Sequence, residues 1–506
     1  MTMNICARLA ASVGLVALVA ACAVTPERLT DQDMTTATKA NREKMFATTA
    51  RLDRPLTLDD AIARAMAHNL DHRARLMEEV LALGQLDVDR YDMLPQLAAS
   101  AGYSWRNEPA ASVSRSLATG ATSLEASYST ERTHTTWELG TTWSVLDFGV
   151  SWFNARQNAD RALIAGERRR KVANNLIQEV RSAWWRAASA QKLEGDVAQA
   201  TQVARGALDD TQRVERENLR APIDALRVQR GLLENLRQLE TIRQDLITAK
   251  TELAALVNLP PGTQYQVDIP ADDAMLPAPW AMALDEMEYK ALLNNPDLRE
   301  EVYQGRVTAH ETRKAVLRLL PGISLQASRN YDSNDLTVFN HWTEAGPAIT
   351  TNLFNMISAP SRIRFAQTGE KVAQAKQLAL QMAVLTQVNV AKLQYEMATR
   401  QFELADQIWR VDQRISDHST NRQAADAQGK VEQVANATSS IVGLLRRYQA
   451  VSQLHAAVGR MQASVGWDPL RARSEASTAK QVTAEVDKVQ ESGLPDPVVW
   501  LGKLFQ

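Results

Sequence analysis

Four short segments of the chain alternate apolar with small or polar side chains. Leu97, Ala99, Ala101, Tyr103 and Trp105 take turns with Ala98, Ser100, Gly102, Ser104 and Arg106. Trp137, Leu139, Trp143 and Val145 take turns with Thr136, Glu138, Gly140, Thr142 and Ser144. Ile323, Leu325, Ala327 and Tyr331 do the same with Ser324, Gln326, Ser328, Asn330 and Asp332. Ala345, Pro347, Ile349 and Leu353 alternate with Glu344, Gly346, Thr350 and Asn352. This period of two predicts strands near 96–107, 134–148, 322–332 and 342–354. Elsewhere the pattern is helical. A first helix is expected from Leu58, capped by Thr57, to about Met93 ahead of Pro95. No proline falls between Pro109 and Pro222, or between Pro360 and Pro469. Helical sequence from about Val150 to Thr211 would extend on the order of 90 Å. Leu232, Leu239, Leu246 and Leu253 recur every seven residues, with Val228, Asn235, Ile242, Ala249 and Leu256 as companion register. That is a coiled-coil packing seam.

The chain repeats itself. Leu58-Asp59 recurs as Leu284-Asp285, Asn69 and Asp71 as Asn295 and Asp297, Arg73 as Arg299, and Leu94-Pro95 as Leu320-Pro321, always 226 residues on. Leu97 answers Ile323, Ala101 answers Ala327 and Trp105 answers Tyr331 in the same register. Two homologous halves are expected, 51–270 and 284–468, with a linker at 271–283 and a tail at 469–506. Each reads as helix, strand, loop, strand, very long helix, helix.

Each alternating segment has the length a tilted strand needs to cross a hydrocarbon core. Tyr103, Trp105, Trp137, Trp143, Phe148, Tyr331 and Trp342 are expected to face the membrane, mostly as an interfacial belt near the strand ends. Arg329 falls on the apolar face and breaks the pattern. A soluble sheet packed on helices would alternate in the same way. In a membrane, four strands leave open edges that lipid cannot satisfy, so they must close with further copies. Twelve strands from three chains would enclose water.

The N-terminus carries an address. Residues 1–21 have one early charge, Arg8, then an apolar run too short to span a bilayer comfortably, the form of a signal peptide. Leu18-Val19-Ala20-Ala21-Cys22 resembles a bacterial lipobox, which implies a covalent lipid, palmitate included, on Cys22. Residues 22–50 are then an extended, lipid-anchored leader. Among 506 residues, 57 Lys+Arg balance 59 Asp+Glu, which argues against nucleic acid as a partner. Two cysteines exclude a disulfide framework or a multi-thiolate metal site. His68 and His72 have the spacing of a metal pair but no third ligand near them, so no metal is expected. No phosphate loop or nucleophile elbow is present, so no cofactor and no enzyme activity are expected.

The whole mature chain resembles the TolC/OprM outer-membrane factor family. The resemblance rests on Leu58-Asp59-Asp60-Ala61, Asn69-Leu70-Asp71, Leu94-Pro95 and Trp143-Ser144-Val145-Leu146-Asp147-Phe148-Gly149, the last answered by Thr350-Thr351-Asn352-Leu353-Phe354-Asn355. It implies a mainly α fold with a transmembrane β-barrel: a homotrimer with a twelve-stranded barrel above a periplasmic α-helical tunnel. It also implies an outer-membrane exit duct that passes small toxic molecules passively, driven by an inner-membrane pump through a periplasmic adaptor, in a Gram-negative envelope. A type I protein-secretion exit and a non-conducting coiled-coil lipoprotein scaffold are the alternatives. The resemblance places adaptor contacts at two hairpin tips, Asn218, Leu219, Arg220 and Ala221, and Gln428, Gly429, Lys430 and Val431. The periplasmic gate would use Gln433 and Asn436, where relatives often carry aspartates, with Glu432 nearby. Ion pairs from Lys430, Arg213, Arg216 and Arg220 to Glu215 or Glu217 would hold the tips closed.

Overall fold

The computed structural model describes residues 28–46, 52–217, 222–272, 275–424 and 430–466. Its elements are α1 (Asp31–Phe46), α2 (Leu58–His68), α3 (Leu70–Tyr91), β1 (Gln96–Trp105), β2 (Thr133–Ser144), α4 (Val145–Arg216) and α5 (Pro222–Leu256). The second half follows with α6 (Leu284–Asn294), α7 (Pro296–Leu317), β3 (Gly322–Asp332), β4 (His341–Thr350), α8 (Leu353–Ala424) and α9 (Lys430–Ser464). Equivalent helices have equal lengths: 11 residues in α2 and α6, 22 in α3 and α7, 72 in α4 and α8, and 35 in α5 and α9. At 1.5 Å per residue, α4 and α8 each run about 108 Å.

Three expectations are corrected. The helix from Leu58 does not run unbroken to Met93. It stops at Asn69, whose ψ of 128° leaves the helical region, and restarts because the Asn69 side chain accepts from the His72 amide at 3.1 Å. Asn295 does the same for α7, accepting from Asp297 and Leu298 with Pro296 as the first helical residue. The repeated asparagine is therefore a helix break and cap in both halves. Next, the strands end sooner than their alternation. Ser144 caps α4 by accepting from the Asp147 amide at 3.1 Å, so 145–148 are helical. In the second half Asn352 accepts from the Phe354 amide, and Leu353 opens α8. The third correction is the leader: its described part is not extended but holds the exposed helix α1.

The leucine seam is buried as expected: Leu232, Leu239, Leu246 and Leu253 all lie in the core. They pack α5 on α4, while α4 also meets α3, α7 and α9, and α8 meets α7 and α9. The main cluster surrounds Trp184 and Trp185 of α4, whose rings meet edge to face at 5.0 Å. The two ends of the first half are tied to this level. Leu56 bridges Val267, the Trp184 indole donates to the Leu56 carbonyl at 2.9 Å, and Gln191 bonds both the amide and carbonyl of Val267. Burial of this kind stabilises by about 1.5–3 kcal/mol per large apolar side chain. No helix among the described residues is long and apolar enough to cross a membrane.

Candidate functional site

The strands form one antiparallel sheet in the order β1-β2-β3-β4, so β2 and β3 join the two halves. The register decides which side chains share a face, because directly opposed residues point the same way. Ala99 faces Leu139, which faces Arg329, which faces Thr343. Ala101 faces Trp137, which faces Tyr331, which faces His341. Trp143 faces Leu325, and Ile323 faces Ile349. All four apolar sets thus lie on a single side of the sheet. That side is not covered: every residue of β1 is exposed, and Leu97, Tyr103 and Ile349 are each more than 70% exposed. A soluble monomer rarely leaves so much contiguous apolar surface in water.

Aromatic rings mark both ends of this face. Trp137 stacks on Tyr331 at 5.8 Å, and Tyr331 lies 4.7 Å from the His341 ring, at the end away from the helices. Tyr103 and Trp105 share that end of β1. Trp143 meets Phe148 edge to face at 5.9 Å, where the strands enter the helices. Trp342 departs from the expectation. It stands on the other face with Glu344, to which its indole donates at 2.8 Å, and its cross-strand partner is Asn330. Parity within the strand, not closeness to the strand end, sets its side. Arg329 is on the apolar face, as its alternation indicates.

Apart from Trp342 and two alanines, Ala98 and Ala348, the opposite face is polar or glycine. Gln96, Ser100, Ser104, Thr136, Thr142, Ser324, Gln326, Ser328 and Asn330 line it with several glycines. Its charges are Glu138, Asp332 and Glu344; no Lys or Arg of the four strands shares it. His134 Nδ1 lies 3.4 Å from Asp332.

Directly beneath the sheet, polar residues of α4 and α7 interlock in a way the hydrophobic pattern did not reveal. Buried Asp160 pairs with Arg306 and lies 3.6 Å from His310 Nε2. Gln157 donates to the Val307 carbonyl and to Glu311, and Lys314 reaches Asn154 and Glu311. Burial holds the His310 imidazole below its ordinary range, with the Asp160 carboxylate opposing. The signal was a second periodicity: Asn154, Gln157 and Asp160 are three apart on α4, answering Val307, His310, Glu311 and Lys314 on α7. Gly149, in the strand-to-helix motif, lets α4 approach α7 closely. A Cβ there would lie 2.7 Å from Leu317 Cδ2.

At the far end of the helices, Cys22, Asn218, Leu219, Arg220, Ala221, Gln428 and Gly429 lie outside the described residues. Lys430 opens α9. Val431 packs beside Val434, which is buried with Ala204 and Ala207 of α4 and Leu232 of α5. At 100° per residue, Glu432 and Asn436 fall about 160° from Val434, on the opposite side of α9. Glu432 is exposed, whereas Gln433 and Asn436 are half-buried. Glu215 accepts from Gln229 of α5 at 2.5 Å, tying the two arms of the first hairpin by an amide rather than an ion pair.

Among solved structures, the chain is similar to the Campylobacter jejuni CmeC outer membrane channel, with a TM-score of 0.62 and 13% identity over 88% of this chain and 93% of that one. It is similar to the outer membrane protein VceC of Vibrio cholerae, with a TM-score of 0.58 and 14% identity over 81% of this chain and 97% of that one. It also resembles the Neisseria gonorrhoeae MtrE outer membrane channel, with a TM-score of 0.57 and 18% identity over 81% of this chain and 90% of that one. No family model and no curated protein matches the chain. A two-faced four-stranded sheet above two 72-residue helices, matched over nearly the full length of these channels, gives the chain the TolC/OprM outer-membrane factor fold, as its ordered motifs led us to expect.

Proposed function

We propose that the protein is the outer-membrane exit duct of a tripartite efflux system, passing small toxic molecules from the periplasm when docked to an adaptor and an inner-membrane pump. The observation that carries this reading is the sheet: one exposed apolar face bounded by aromatics, one polar face, and two unpaired edges, β1 and β4. Open edges cannot stand in lipid. Three copies joining β4 to β1 form a twelve-stranded barrel with the polar face around a water column. Arg329, two residues from Tyr331, carries its charge to the interface along its aliphatic stem. The helices below form the tunnel. An exposed stripe on α8, with Val390, Leu393, Met397, Leu404, Ile408 and Val411 three, four or seven apart, supports packing against a neighbouring copy.

The matched element lengths support an internal duplication. The offset is 226 residues at Leu58/Leu284 and Gln96/Gly322 but 208 at Val145/Leu353 and Pro222/Lys430, so the first distal loop region is longer by the difference, 18. Residues 51–270 and 284–468 are the two repeats, 271–283 their linker and 469–506 a tail. Residues 1–21 are the signal peptide, and Cys22 anchors the mature chain by lipid. The hairpin tips at 218–221 and 428–431 meet the adaptor, and Gln433, Asn436 and Glu432 surround the gate. Transport draws its energy from the partners, so the chain itself is not an enzyme.

Detergent-purified protein added to a planar bilayer should give discrete single-channel currents. Assembled trimers that stay silent would reject the duct and favour a scaffold.

A further inference from the structure

We propose that Trp342 and Glu344 form a binding site for lipophilic organic cations on the polar face of the sheet. The other tryptophans and tyrosines of the four strands, Tyr103, Trp105, Trp137, Trp143 and Tyr331, all lie on the apolar face. An indole on the wettable side cannot serve as a membrane anchor. It is 40% exposed, and among the described residues no ring or cation stacks on it. Its Nε1 donates to Glu344 Oε1 at 2.8 Å, which holds an open aromatic face beside a carboxylate. Across the ladder Trp342 meets Asn330, whose partner on the far side is Glu138, and Glu344 meets Ser328. The surroundings are therefore neutral or acidic, with no Lys or Arg of the sheet on that face.

The indole quadrupole attracts a cation, most strongly one that sheds its water easily, and the neighbouring carboxylate adds charge. A small hydrated ion gains little from a ring. A quaternary ammonium or phosphonium ion with apolar substituents uses both groups at once. The site rests on the reading that this face lines a water column, where an indole meets solutes in transit.

The test is equilibrium dialysis of the detergent-solubilised full chain against tetraphenylphosphonium, with tetraphenylborate as the matched anion and empty micelles as background. The protein should retain the phosphonium and not the borate. Trp342→Leu and Glu344→Gln should each weaken retention roughly three- to tenfold. Trp342→Phe should lose less, because a ring remains, and Trp105→Leu, on the apolar face, should change nothing. Equal retention by wild type and Trp342→Leu, or equal retention of the borate, would overturn the site. Dialysis requires no current. A chain that binds the cation without conducting would lose the duct and keep the site, and one that conducts without Trp342-dependent binding would do the reverse.

Discussion

Trp137 stands directly opposite Tyr331, and their rings stack at 5.8 Å across the seam where the two halves of the chain meet. The contact ties β2 to β3, the only pairing in the sheet that joins distant sequence, and it also fixes the face. Once Trp137 and Tyr331 share a side, period-two geometry commits every other residue of both strands.

Ala327 and Ser328 are neighbours at one depth on opposite faces of β3. Arginine at Ala327 should destabilise the membrane-inserted form by about 2–4 kcal/mol, the cost of a cation near mid-bilayer, whereas arginine at Ser328 should be tolerated. Urea titration of protein in liposomes separates the two. Equal penalties would mean that the faces are not lipid and water.

Ion selectivity should follow the acidic face of the sheet and the amides near the start of α9. Glu138→Gln with Glu344→Gln should lower the cation-to-anion permeability ratio. Gln433→Asp with Asn436→Asp should raise it and sensitise the channel to divalent blockers. Reversal potentials under a KCl gradient measure both. A pair that leaves the ratio unchanged does not face the ions.

Arg447 of α9 is buried against Asp406 of α8 at 2.7 Å, over the Trp409 ring. Asp406→Ala leaves the buried guanidinium with only the exposed Asp272 carboxylate, at 3.5 Å, and should cost about 2–4 kcal/mol. Arg447→Met combined with Asp406→Leu should recover most of it. Denaturant midpoints would show this, and a double variant no better than the single one would contradict it.

Burial lowers the imidazole range of His72, His310 and His455, the last stacked on Trp185 and bonded to the Met275 carbonyl. Below about pH 6.5 the unfolded chain therefore binds more protons than the folded one, so stability falls as pH drops through and below that value. Thermal scans from pH 7.5 to 5.5 should show a falling midpoint, and His455→Gln should flatten the slope. A midpoint that rises on acidification would refute the assignment.

Metabolic labelling with palmitate should mark the wild-type protein and be lost in Cys22→Ser. Unchanged labelling would remove the lipid anchor.

Much of this molecule was written along the chain. Side-chain alternation marked the four strands because a pleat with different surroundings on its two faces imposes period two. The heptad leucines marked α5 because a helix seam must repeat every turn or two. The helix breaks were also present locally, in Asn295-Pro296 and its counterpart Asn69, a capping residue and a ring that suits the first turn. Trp342 shares parity with Glu344, so its face was legible from numbering alone. Tertiary structure decided what local sequence has no means to encode. Strand order and register bring all four apolar faces to one side, since alternation tells each strand only that it has two sides. The Asp160–Arg306–His310 layer emerged only when α4 met α7, because a buried charge needs a partner from a distant segment, and no local pattern names that partner.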